Sequence, residues 1–266
     1  MSAANQILNA EQSFSINGQK LSGVSSVSLG YTNPLENGPV LGDASFGFFM
    51  NGPIESVVEF SRSLIYSDPI LNFTGDSSFS GNFSYGGKSY SFESGYLTNY
   101  AVSCGVGDVP QVNARVSVWC GLNSGNSVPT SQVDDGLFIP SPRSIVVSGM
   151  DFSSNRVRSV NYSIDIARQP IYSLEGGRKA ESVNFISPLN ISASIEMEIG
   201  DSNMRNSYAY AESFSADNVS ILIKDRSLAN TVANFSVPNA QLLGETIQSS
   251  ADGQPVKNLT FGGFLA

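Results

Sequence analysis

The chain of 266 residues contains no histidine. That removes the commonest general base, the usual hydrolytic triads and most catalytic zinc sites. Two cysteines, Cys104 and Cys120, are too few for a metal cluster or a disulfide framework. In a reducing compartment they are expected to be free thiols. Charge is scarce at 14% of residues, against roughly 25% in an average soluble domain. Positive charge is scarcest: 14 Lys plus Arg against 23 Asp plus Glu, a net −9. A dedicated nucleic-acid binder needs a basic face, and little charge is available for one. No apolar run reaches the roughly 18 residues of a membrane helix. Met1 to Phe14 shows no basic segment followed by an apolar one, so no ordinary secretory signal is expected. These absences point away from an enzyme and toward a binding or structural protein, with no catalytic residue, metal or cofactor expected.

What is present is uncharged polarity and aromatic bulk. Ser, Asn and Gly number 45, 23 and 25. Sixteen Phe and ten Tyr can build a core. Apolar and polar residues alternate over Val112–Trp119, Val160–Ile166 and Ile191–Ile199. Each run reads as a half-buried strand. Asn17-Gly18, Asn37-Gly38-Pro39, Asn51-Gly52-Pro53, Gly86-Gly87, Gly176-Gly177 and Asp252-Gly253 separate them as turns. Helical spacing is rare. Lys224–Ala233, with Leu228 and Val232 four apart, is the one short helix expected. The class is all-β, built from sandwich or barrel units.

The two halves echo each other. Val24-Ser25-Ser26-Val27 and Val157-Arg158-Ser159-Val160 stand 133 residues apart. Pro39 matches Pro170, Pro53 matches Pro188, and Phe92 through Trp119 matches Phe235 through Phe264. Two antiparallel β domains in tandem are therefore expected, over 14–122 and 143–266. An N-terminal arm, 1–13, precedes them, and a Gly-, Ser- and Asn-rich linker, 123–142, joins them. The seven Asn-X-Ser/Thr sites read as a product of composition.

Val157–Ile164 followed by Arg168-Gln169-Pro170-Ile171-Tyr172-Ser173-Leu174-Glu175-Gly176 resembles bacteriophage tail tube proteins, which often carry a strand, a basic residue, Pro-aliphatic-Tyr and Leu-Gly near their start. The first half keeps Pro39 and Gly42 of this pattern but lacks the Arg and the Tyr. The resemblance implies a small antiparallel sandwich or barrel in each half, each with at most one short helix. It also implies trimeric rings of pseudo-sixfold symmetry that stack into a tube, through which DNA passes without specific binding. Partners would be further copies of the chain, then sheath and other tail or baseplate proteins. No membrane is involved; the place is the virion tail, assembled in the bacterial cytoplasm. Another tail component of the same fold, such as a baseplate hub, distal-tail or terminator protein, is the nearest alternative. A surface adhesin or carbohydrate-binding sandwich is a more distant one.

A DNA conduit gains from a negative lining, because a lumen that bound the polyanion would stall it. Glu55 and Glu59 share the polar side of one strand, and Glu196 and Glu198 that of its counterpart. These four are the candidate lumen acids, about a dozen in a trimer; the alternative is that they keep their strands soluble. Candidate subunit contacts are Pro39, Pro53, Arg158, Arg168, Pro170, Tyr172, Arg178 and Lys179, the cations facing acidic patches such as Asp43, Glu55 or Asp134-Asp135.

Overall fold

The computed structural model describes residues 12–38, 48–65, 68–126, 140–150, 157–175, 177–199, 215–225, 227–249 and 253–265. Pro39, Asp43, Asp134, Asp135 and most of the expected arm and linker lie outside them.

The chain is all-β, as its alternation predicts. The first half contributes β1 (Ser13–Ile16), β2 (Gln19–Lys20), β3 (Val24–Thr32), β4 (Leu35–Gly38), β5 (Phe48–Asn51), β6 (Glu55–Ser63), β7 (Phe79–Tyr85), β8 (Lys88–Gly105), β9 (Gln111–Val118) and β10 (Asn123–Asn126). The second contributes β11 (Pro140–Ser148), β12 (Val157–Ile171), β13 (Ser182–Glu198), β14 (Ser215–Asp225), β15 (Thr231–Gln248) and β16 (Val256–Leu265). A 3-10 turn at Pro69–Phe73 is capped by Asp68. Fourteen strands join one open antiparallel sheet; β4 and β5 form a separate hairpin.

The two halves have the same strand order. The first runs β3-β6-β9-β8-β7-β1 and the second β12-β13-β16-β15-β14-β11. Their registers match in detail. Val24 and Val157 open equivalent strands, and each pair has a bulge one residue on, at Ser25 and Arg158. Val58 opposite Val116 corresponds to Ala193 opposite Phe261. The long strands β8 and β15 each bulge once, at Thr98 and Leu243. A bulge is a local kink set by sequence, so two at matching positions are a stringent sign of one shared architecture.

Each half folds its sheet over along its long strand. The N-terminal part of β8 pairs with β7, and the C-terminal part with β9. The two layers meet face to face, with Phe14 on Phe60 at 5.0 Å in the first half and Tyr162 on Phe235 at 4.9 Å in the second. The tight β7–β8 hairpin turns through Gly86 and Gly87, both at positive φ, the geometry that a two-residue primed turn demands.

The expected helix at Lys224–Ala233 is instead the β14–β15 turn. Asp225 accepts from the Ser227 hydroxyl at 2.7 Å and from the Asn230 side-chain amide at 2.7 Å. Its own backbone N–H donates to the Asn230 carbonyl. These local bonds outcompete a helix that has only Leu228 and Val232 to bury. Within the segment read as linker, Asn123–Asn126 pairs with β8 and β11 starts at Pro140.

Candidate functional site

One face of the shared sheet is polar from β3 to β16. Core residues point the other way because side chains alternate along each strand. On β6, Glu55 and Glu59 lie on this face while Val58 and Phe60 are buried beneath. On β13, Glu196 and Glu198 lie on it above Ile195 and Met197. All four candidate acids thus share one surface. They do not occupy matched places: the register sets Glu59 against Ser194 of the second half, and Glu196 against Ser61 of the first.

The face is held by side-chain bonds between strands. Ser61 donates to Asn113, and in the second half Ser194 donates to Asn258, which holds the place of Asn113. Asn99 donates to Asp165 at 2.6 Å. Short uncharged groups satisfy one another here, which gives the Ser- and Asn-rich composition a structural use. Charges on the face are paired loosely. Arg115 lies 3.7 Å from Glu59, and Arg158 lies 3.8 and 3.9 Å from Glu196 and Glu198. These groups are well exposed, so each pair contributes only about 0–1 kcal/mol. Asp165 adds a fifth carboxylate. A shallow concavity of about 750 Å³ opens on this face, with Glu59, Arg115, Asp165 and Arg168 on its walls.

The two halves meet along a strand seam. β8 pairs with β12 from Asn99 opposite Asp165 to Gly105 opposite Ser159. Several expected contact residues work here, inside the chain. Arg168 donates from Nε to the Leu97 carbonyl at 3.3 Å and from Nη2 to the Gly75 carbonyl, and it stacks over Tyr96 and Phe185. Beyond the seam, β12 and β13 continue as an arm whose tip lies on the first half. Arg178 donates to the Gly52 carbonyl at 2.9 Å and to the Asn33 side chain. Its own carbonyl accepts from Ile54, and Ala180 donates to the Trp119 carbonyl. Burial raises the Tyr172 hydroxyl above its ordinary value, and the nearby Glu55 carboxylate adds to the shift. Pro170 sits in the arm opposite Val183. Lys179, with Arg178, edges an open groove below Tyr31, and Pro53 is exposed. Arg158, in its bulge, serves the second half's own acids.

Two buried ion pairs escape a reading by composition. Arg62 lies 3.2 Å from Asp68 in the first core, and Tyr100 donates to the same carboxylate at 3.1 Å. Desolvation raises Asp68 above its ordinary value, opposed by the charge of Arg62. In the second core, Lys257 lies 2.7 Å from Glu245. The available signal was position: Arg62 falls on the inward parity between Phe60 and Leu64, and Lys257 on that of Leu259 and Phe261. Both cysteines are free thiols. Cys104 is buried in the seam, and burial pushes its thiol up to about 11.

No protein-family model matches the chain, and no curated protein matches it.

Proposed function

We propose that this chain is a tail tube protein of a bacterial virus, a duplicated module of which three copies build a six-module ring. The observation that carries the reading is the seam: two halves of one strand order joined edge to edge into a single sheet. A module that pairs with its own likeness through a sheet edge is suited to repeat that pairing. Head-to-tail contacts of this kind close into rings when the rotation per step allows. Closure also removes the exposed edges that would otherwise recruit strands at random.

In this reading the polar face lines the lumen. Its Ser and Asn side chains bond one another, and five carboxylates share the face with Arg115, Arg158 and Arg168. The balance is negative. Duplex DNA, with one charge per roughly 1.7 Å, is repelled and slides. Stacked rings conduct DNA to the host, with sheath and other tail or baseplate proteins as outer partners, and assembly occurs in the bacterial cytoplasm. A terminator or hub ring built from the same module is separated by copy number in particles.

Negative-stain microscopy of the purified protein tests the proposal. The expected outcome is rings or filaments with a central hole wide enough for a duplex. Solitary particles at high protein concentration, with no opening, overturn it.

A further inference from the structure

Among the described residues, the counterparts of the two seam strands stand at the outer edges of the sheet with no strand on the outer flank. β12 is paired on both sides, by β13 and by β8. Its counterpart β3 is paired, among the described residues, by β6 alone. β8 is paired along its C-terminal part by β9 and by β12. Its counterpart, the C-terminal part of β15, is paired there, among the described residues, by β16 alone. The side chains agree. Ile164 on β12 is 6% exposed, whereas Tyr31, at the same place on β3, is 75% exposed. Val102 on β8 is 3% exposed, whereas Ile247, at the same place on β15, is 50% exposed. Apolar residues that are covered at the inner seam stand open at both outer edges.

The geometry points to a second copy of this chain as the occupant: β3 of one molecule pairs antiparallel with β15 of the next, in the register that the inner seam already displays. Asn161 opposite Ser103 translates into Ser28 opposite Gln248. Tyr162 opposite Val102 becomes Leu29 opposite Ile247, and Ser163 opposite Ala101 becomes Gly30 opposite Thr246. The arm follows the same logic. The second half's arm lies on the first half through Arg178, so the first half's β4–β5 hairpin extends toward the second half of the neighbour. The inference deepens the ring reading and rests on it for closure. The strand assignment itself follows from the inner seam.

Paired oxidation tests the register. Ser28→Cys and Gln248→Cys are combined in a chain carrying Cys104→Ser and Cys120→Ser. Opposite residues of an antiparallel pair lie within disulfide reach. Mild oxidation is expected to convert most of the protein into covalent oligomers ending at a closed trimer. The slipped pair Ser28→Cys with Ile247→Cys puts the thiols on opposite faces and is expected to stay monomeric. Rings in the microscope with no cross-link, or with equal cross-linking of the slipped pair, overturn the strand assignment and leave the ring reading standing. Cross-linked chains without a central hole support the assignment and overturn the ring. Neither rings nor cross-links overturns both. Should the cysteine variants fail to fold, hydrogen exchange on the unaltered protein decides. Amides of residues 26–32 and 244–248 are expected to slow at least tenfold on assembly, and unchanged exchange in assembled particles overturns the assignment.

Discussion

Tyr162 and Leu29 occupy the same place in the two halves, yet one is buried in a seam and the other sits half-exposed at an edge. Tyr162 packs on Phe235 and donates its hydroxyl to the Ser236 carbonyl at 3.1 Å. Leu29 has β6 beside it but no strand on its other flank among the described residues. The difference shows that burial in this molecule is decided by neighbours of the sheet as much as by the strand itself. It also sets the largest expected effect. Tyr162→Ala should cost about 4 kcal/mol in urea unfolding, the range for a buried aromatic. Leu29→Ala should cost less, about 2 kcal/mol in the free chain, since Leu29 packs against the core but keeps part of its surface open. Equal losses in the free chain would break the comparison.

The cores differ in how they keep a buried charge. Arg62 of the first half stands where the second has Met197, and Lys257 of the second where the first has Val112. Glu245 likewise takes the place of Tyr100. Lys257→Val should cost about 3 kcal/mol, because it leaves a buried carboxylate without its cation. Adding Glu245→Tyr gives the second core the first half's residues at both places and should recover most of the loss. Arg62→Met should cost about as much by exposing Asp68 to the same penalty. A double variant no more stable than Lys257→Val alone would show that the two cores are not interchangeable at this layer.

Much of this was legible in the alternation. Val160–Ile166 and, up to Glu198, the run from Ile191 are strands because period two fixes which residues meet the core. The spacings at Val24 and Val157, and at Pro53 and Pro188, survive in the register. Further along, similarity of type aligned Phe92 with Phe235, whereas the hydrogen-bond ladder matches Tyr96 with Gln241, two residues further on in spacing. Side-chain type does not report register. The segment from Asn123 looked like linker because it has almost no apolar side chains, but an edge strand can be held by backbone bonds alone. The seam was hidden for a related reason: the flank of a strand leaves no mark in its own pattern of inward and outward residues.

The equivalent β7–β8 and β14–β15 turns offer a comparison in pH. Gly86-Gly87 turns without a titrating group, whereas the β14–β15 turn is organised by the Asp225 carboxylate. Donation from the Ser227 hydroxyl, then from Asn230, holds that carboxyl below its ordinary value. A carboxyl depressed on folding stabilises the native state above the unfolded pKa of about 3.9. That contribution is lost as pH falls through the lower, folded value. Amide exchange at Leu228 and Asn230 should therefore quicken in acid relative to the Gly86-Gly87 turn, after correction for intrinsic rates. Asp225→Ala should produce the same loosening at neutral pH and abolish the acid dependence. Parallel behaviour of both turns would remove the distinction.

The smallest effect on stability is expected on the polar face that both halves share. Replacing Glu55, Glu59, Glu196 and Glu198 with Gln removes only loosely paired, well-exposed charges, so unfolding should shift by no more than about 1 kcal/mol per ion pair. Any consequence then belongs to the assembled state. In filaments of the variant, Arg115 and Arg158 lose their counter-charges, and the lining should hold added duplex DNA in co-sedimentation at low salt. Retention should fall steeply as salt rises, as phosphate contacts do. Filaments of the unaltered protein should hold little. A control replacing Glu93 and Glu181 with Gln should also hold little, since neither is among the five carboxylates placed on this face. DNA held equally by all three proteins would move the acids from the lumen to an outer wall, and the conduit reading of this face would fall with them.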